Sequence, residues 1–214
     1  MGVSKPTDGP VSRFLNRRIS APISRAIASS CPGVNPNHVT IIIFLAFLTP
    51  VPLILKGHLV LGGLLVEIAS ILDGVDGELA RMLGKTSKTG AVLDSVLDRI
   101  VNISVYISTM LYMAWHHPQA VELTLTLGSL ALSGDMLVTY IHSKIREVTG
   151  KHPVAIGGFP NIASRDVRLL LLSILIMAGQ ITLAYILIIA ITYPYVAGKT
   201  IAVWRMEAQG GDNK

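Results

Sequence analysis

Apolar residues run through this chain in long blocks rather than in short alternation. Val39–Leu55, Leu59–Leu72, Ala91–Trp115, Leu123–Ile141 and Leu169–Val203 are mostly apolar, and a helix that crosses a bilayer needs about 20 such residues. The last block is too long for one crossing and carries Gly179-Gln180 in its middle, so it is predicted to form two helices meeting there. The second block is short, and the polar segment Asp73–Arg81 is read as its continuation to the membrane surface. Ahead of these blocks, Val11–Ala28 interleaves Phe14, Leu15, Ile19, Ile23 and Ile27 with Arg13, Arg17, Arg18 and Arg25, the pattern of a helix lying in the membrane interface. Pro22 should bend that helix, and Pro32, Gly33 and Pro36 should end it. An ordinary amphipathic helix packed on the protein is the alternative. The expectation is an all-α polytopic membrane protein with six transmembrane helices and an N-terminal interfacial amphipathic helix. Residues 1–36 form a cytoplasmic tail and that helix, 37–206 a six-helix membrane domain, and 207–214 a second cytoplasmic tail.

Composition sharpens the choice of solvent. The chain has 214 residues, of which 51% are hydrophobic and only 14% charged, with a mean hydropathy of +0.58; a soluble domain carries about 25% charged residues. The basic residues then give an orientation, because Lys and Arg collect in short cytoplasmic loops. With the N-terminus inside, five precede the first span, three lie from Arg81 to Lys88, five from Lys144 to Arg168 and three from Lys199 onward. Arg99 falls within the third span, and Lys56 alone falls outside. The formal net charge of +5 is thus read as a basic cytoplasmic face beside anionic lipid or substrate, and nucleic acid is not expected as a partner. The first 30 residues lack the compact apolar core of a cleavable signal, and the lone Cys31 has no partner for an intramolecular disulfide.

The chemistry concentrates in one segment. Asp73 and Asp76 are three apart and Asp94 and Asp98 four apart, so on helices each pair shares a face. The loop Met82–Thr89 would return the chain and set the two faces opposite each other at the cytoplasmic boundary. An aspartate at the centre of a membrane helix costs about 2.5–3.5 kcal/mol even on the lenient insertion scale, and four of them repel one another. A divalent cation removes both problems, and an all-carboxylate shell suits Mg²⁺, Mn²⁺ or Ca²⁺ better than zinc. Because Mg²⁺ shares its shell between carboxylates and substrate phosphates, a diphosphate substrate follows. Gly77 and Ala80 leave room beside the helix, Arg81 can pair with phosphate, and Gly90 permits close packing. Taken singly, each of these small residues reads as a helix-packing position.

The pattern D-x2-D-G-x2-A-R-x8-G-x3-D-x3-D over Asp73–Asp98 resembles the signature of the CDP-alcohol phosphotransferases, with every fixed position present. Pro36-Asn37-His38-Val39-Thr40 is similar to the P-N-x2-T element of that family. The resemblance implies that Asp73, Asp76, Asp94 and Asp98 hold two metal ions, Mg²⁺ or alternatively Mn²⁺, and that Asp98 is also the catalytic base. It implies that Gly77, Ala80, Arg81 and Ser87, with Asn37 and Thr40 nearby, form the CDP site, and that the protein is a homodimer in the cell membrane with its active site facing the cytoplasm. An acceptor hydroxyl would attack the phosphorus that bears the alcohol, and CMP would leave.

Substrate identity must come from other residues. Lys144, Arg146, Arg165 and Arg168 fall on the expected cytoplasmic side and are read as an anion pocket for a phosphorylated polyol acceptor. The plainer alternative is ordinary loop charge with a local Arg165–Asp166 pairing. The run from Lys5 to Ser20 and Ser164–Leu169 (SRDVRL) resemble the archaeal di-myo-inositol-phosphate-phosphate synthase branch of the family, which joins CDP-inositol to inositol phosphate. Many members of that branch carry a preceding cytidylyltransferase domain; the expectation here is that it was removed or that a separate protein makes the donor. A phospholipid synthase using CDP-diacylglycerol with inositol phosphate or glycerol phosphate is the runner-up. An ion-coupled transporter is the rival of another class, but it predicts midplane carboxylates and internal repeats, and neither is seen. A prenyltransferase would release pyrophosphate and lacks this spacing. His116-His117-Pro118 reads as an external turn, Asn102-Ile103-Ser104 as a sequon hidden within a span, and Tyr193-Pro194-Tyr195 as a kink in the last span.

Overall fold

The computed structural model describes residues 9–12, 16–157 and 161–211, the last three of them by backbone alone. The described residues are helical throughout, with no strand. In chain order they form α1 (Arg17–Ser30), α2 (Pro36–Phe47), α3 (Pro50–Leu55), α4 (Leu59–Leu72), α5 (Val75–Met82), α6 (Lys88–His116), α7 (Val121–Thr149), α8 (Arg165–Met177) and α9 (Ile181–Gly211). Three continuous stretches are long and apolar enough to cross a membrane: Pro36–Leu55, Pro118–Thr149 and Ile181–Ala208. α6 is as long as α7, at 29 residues, but Asp94, Asp98 and Arg99 occupy its first half.

The predicted division of the last apolar block is found in the structure, and the predicted continuation of the second is not. The block from Leu169 onward does break at Gly179, whose φ of +69° is left-handed backbone that glycine adopts without strain; α8 ends before it and α9 starts after it. Ser87 caps α6, its hydroxyl accepting from the Gly90 amide at 2.9 Å, as serine does at helix starts. The second block, however, does not continue as one helix through Arg81. It stops at Leu72, and Asp73 and Gly74 turn the chain before α5 begins. The last helix runs unbroken through Pro194 to Gly211.

The core explains how these helices are placed. Ile54, Val66, Val105, Tyr106, Ala131, Leu172, Ile176, Ile181, Tyr185 and Ile188 form one buried cluster joining α3, α4, α6, α7, α8 and α9. α4 lies tightly along α8: a Cβ on Gly63 would meet the Ser173 carbonyl at 2.6 Å, the small-residue contact by which membrane helices approach closely. A second cluster, Phe47, Ala69 and Val101, packs α2, α4 and α6 together and brings the aspartate-bearing ends into register.

α1 docks by its polar side. Ser20, Ala21 and Ser24 are buried, whereas Ile19 is 41% exposed. The receiving group is Glu78 of α5, only 3% exposed, which accepts from Arg17 at 2.5 Å, Ser20 at 3.1 Å and Ser24 at 3.0 Å. Phe14, Leu15 and Arg13 of the expected interfacial helix lie outside the described residues. Removing one partner of a buried ion pair costs about 3–5 kcal/mol, so Glu78→Ala should release α1 from α5. Trypsin should then cut at Arg18 and Arg25 faster than in the parent protein; unchanged cleavage would show that this clamp does not hold the helix.

Candidate active site

The turn at Asp73-Gly74 decides how the aspartates are dealt. Asp73 ends α4 and Asp76 sits in the first turn of α5, where the positive end of the helix dipole favours an acid. Asp94 and Asp98 share one face of α6. Carboxylate oxygens of Asp73, Asp94 and Asp98 all lie within 4.8 Å of one another. Asp76 points elsewhere: it accepts from the Thr40 hydroxyl at 2.5 Å and from the Gly77 amide at 2.6 Å. The break between α4 and α5 thus separates the pair that a single helix would have kept on one face. All four aspartates still border one small gap of about 10 Å³, beside Thr40.

Two larger cavities flank that gap. One, of about 220 Å³, is lined by Asn37, Thr40, Gly77, Ala80, Arg81, Ser87 and Gly90, with Asp76 and Asp94 in its wall. Every residue expected to contact the CDP moiety therefore faces a single space. Gly90 belongs there for a physical reason, since a Cβ at that position would approach the Asn37 amide oxygen to 2.9 Å. Lys85 also lines this cavity and donates to the Pro32 and Val34 carbonyls at 3.2 and 2.9 Å, tying the α1–α2 link to the α5–α6 loop.

The other cavity, about 360 Å³, has Asp73 in its wall and is lined by Arg17, Arg99, Arg165, Arg168, His142 and His152. Burial and the charges of Arg146 and Lys199 hold His152 below its ordinary pKa, so the guanidinium groups supply the positive charge. Of the four residues read as an acceptor pocket, Arg165 and Arg168 line this space, while Lys144 and Arg146 do not. Lys144 instead pairs with Glu147 at 3.0 Å on an exposed part of α7. Arg165 reaches Asp73 at 2.5 Å and Asp98 at 3.2 Å. The local alternative of an Arg165–Asp166 pair is not formed, and the Asp166 carboxylate accepts from the Ser12 amide at 2.6 Å.

Sequence reasoning passed over Arg17 and Arg99. Arg99 carried a signal, as a lone basic residue inside an apolar span beside Asp98, and intramembrane charges mark functional sites by default. Arg17 carried none, because nothing in its spacing tells which face of α1 meets α5.

The donor chemistry fits a hard divalent cation. Carboxylate oxygens converge with no thiol or imidazole among them, as Mg²⁺ and Mn²⁺ sites require. The guanidinium of Arg165 occupies part of the same negative field.

Comparison with known proteins gives a consistent picture. The profile of the CDP-alcohol phosphatidyltransferase family matches residues 34–206. Over 186 residues the chain is 37% identical to a bifunctional IPC transferase and DIPP synthase of Archaeoglobus fulgidus, covering 84% of this chain and 34% of that protein. It is 30% identical over 173 residues to an archaetidylinositol phosphate synthase of Pyrococcus horikoshii, covering 80% of this chain and 83% of that protein. Among solved structures, a Mycobacterium tuberculosis phosphatidylinositol phosphate synthase in complex with manganese and citrate superposes with a TM-score of 0.69 at 25% identity, covering 87% of this chain and 89% of that one. The chain spans about a third of the length of the bifunctional relatives it matches, from 30% to 36%.

Proposed function

Since the chain belongs to the CDP-alcohol phosphatidyltransferase family, we propose that it transfers a substituted phosphate from a CDP-alcohol to an acceptor hydroxyl with release of CMP. The observation that carries this reading is that all four aspartates border one small gap, with Asp73 in the wall of the larger cavity and Asp76 and Asp94 in the wall of the smaller one. A donor in the smaller cavity and an acceptor in the larger one would meet at that gap. The acceptor oxygen bonds to the phosphorus bearing the alcohol, the bond from that phosphorus to the oxygen of CMP breaks, and Asp98 takes the hydroxyl proton. Asp73, Asp76, Asp94 and Asp98 would hold two Mg²⁺ ions, with Mn²⁺ as an alternative, and the metal supplies charge neutralisation on the diphosphate. Gly77, Ala80, Arg81, Ser87, Asn37 and Thr40 hold the CDP moiety. Arg81 contributes a charge-assisted contact to phosphate, and the fixed geometry lowers the entropic part of the barrier.

The acceptor is a phosphorylated polyol. Four guanidinium groups line the larger cavity and favour a phosphate, and Arg165 and Arg168 are the two of them that the sequence also suggests for the acceptor. The favoured pair of substrates is CDP-inositol with inositol phosphate, giving di-myo-inositol phosphate phosphate, in line with the bifunctional relatives' names. A phospholipid synthase using CDP-diacylglycerol is the second reading, supported by the archaetidylinositol phosphate synthase whose length the chain nearly spans. CMP release from purified protein offered CDP-inositol or CDP-diacylglycerol, each with inositol phosphate, separates them. The favoured reading expects release with CDP-inositol at least tenfold faster; release with CDP-diacylglycerol alone would overturn it.

The setting proposed for this chemistry is an integral membrane protein with six spans, the three long apolar stretches being joined by α4 with α5, by α6 and by α8. α4 has 14 residues, about 21 Å of helix against about 30 Å of hydrocarbon, so it crosses only with the turn and α5 added. Residues 37–206 form this membrane domain, between an N-terminal segment and a short tail from 207. The positive loops support a cytoplasmic position for the aspartates, and the outward Ile19 with inward Ser20 and Ser24 supports α1 lying on the membrane surface. The proposed assembly is a homodimer.

A further inference from the structure

Asp135 lies in the middle of α7, inside one of the three long apolar stretches, and is only 1% exposed. It belongs neither to the signature nor to the wall of either cavity. A buried carboxylate in a membrane helix persists where it is paired, and Asp135 has two partners. One oxygen accepts from Nε of Arg168, and the other accepts from the Asn102 amide of α6 at 3.0 Å. Nη1 of Arg168 donates to the Ala163 carbonyl, which leaves Nη2 as the one nitrogen of that guanidinium without a protein partner among the described residues. One helical turn along, the Thr139 hydroxyl donates to the Asp135 carbonyl at 3.3 Å, so its lone pairs face outward and accept from Nη1 of Arg99 at 2.8 Å. Two of the four guanidinium groups around the larger cavity are therefore oriented by α7, at positions four residues apart.

We propose that Asp135 is a positioning residue that fixes the Arg168 guanidinium so that its free edge serves the phosphate of the acceptor. The inference rests on reading the larger cavity as the acceptor site. Without the carboxylate, Arg168 is a buried cation free to swing toward the negative field that Asp73 and Asp98 already share with Arg165, and the phosphate loses its aligned partner. A misplacement of about 1 Å in such a group costs up to about 100-fold in rate.

The test is a double-mutant cycle on Asp135→Asn and Arg168→Gln, read as the apparent KM for inositol phosphate and the apparent KM for the CDP-alcohol in a CMP-release assay. Asp135→Asn should raise the acceptor KM at least tenfold and leave the donor KM within about twofold. The double variant should be no worse than Arg168→Gln alone, because residues acting as a unit are not additive. An Arg168→Gln protein with normal acceptor KM would overturn the acceptor reading itself, and this inference with it. A raised acceptor KM in Arg168→Gln together with a normal one in Asp135→Asn would overturn the inference alone. Equal rises in both KM values for Asp135→Asn, or additive effects in the double variant, would reduce Asp135 to a scaffold group and overturn it too. Should Asp135→Asn fail to fold, Asn102→Leu removes the second tether while keeping the ion pair. It should raise the acceptor KM several-fold, and no change would count against the proposal.

Discussion

Asp98→Asn is expected to lower CMP release by about 1,000-fold or more at saturating donor and acceptor. General acid–base assistance alone is worth about 10²–10⁴-fold, and the same substitution removes one of three carboxylates that converge within 4.8 Å. The fold should survive the change. Asparagine has nearly the same shape, and Arg165 keeps its shorter contact to Asp73 at 2.5 Å after losing the 3.2 Å one to Asp98. A melting temperature in detergent close to that of the parent would show that the loss is chemical. Turnover within about threefold of the parent would remove Asp98 from the role of base.

Much of this site could be read from the chain before its shape was known. The spacing of Asp73, Asp76, Asp94 and Asp98 named the acidic cluster, and the signature around Gly77, Arg81 and Gly90 named a set of residues that share one cavity. Periodicity could not reveal that the helix would break at Gly74. Both residues of the turn keep ordinary right-handed backbone, with φ of −50° for Asp73 and −84° for Gly74, so the glycine there meets no conformational demand that would mark it apart from a glycine inside a helix. The larger cavity was legible only in part for a different reason. Charge counting treats Lys144, Arg146, Arg165 and Arg168 alike, whereas the structure turns Lys144 outward to Glu147 and draws Arg17 and Arg99 in from α1 and α6. Those choices depend on long-range packing, such as Glu78 holding α1 and Thr139 holding Arg99, and of these residues only Arg99, a lone basic residue within an apolar span, leaves a mark in the local sequence.

Metal removal is the second large effect. With Asp73, Asp94 and Asp98 gathered around one point and the Arg165 guanidinium in contact with two of them, excess negative charge would face an incoming diphosphate that is itself anionic. A chelated protein should still fold, because the Arg165 guanidinium itself places positive charge between Asp73 and Asp98. Its turnover should nevertheless fall to background, since Arg81 alone leaves most of the charge on the donor's phosphates uncompensated beside the aspartates. Restoring the cation should restore activity, and citrate or pyrophosphate should inhibit by competing for it.

The most direct test of the account is therefore CMP release by the purified protein from a panel of CDP-alcohols with inositol phosphate, first after exhaustive chelation and then across a Mg²⁺ and Mn²⁺ titration. CMP should stay at background in chelator, and CMP and phosphodiester product should appear in equal amounts once either ion is returned. Undiminished CMP release in chelator, or pyrophosphate in place of CMP from every donor tried, would contradict it.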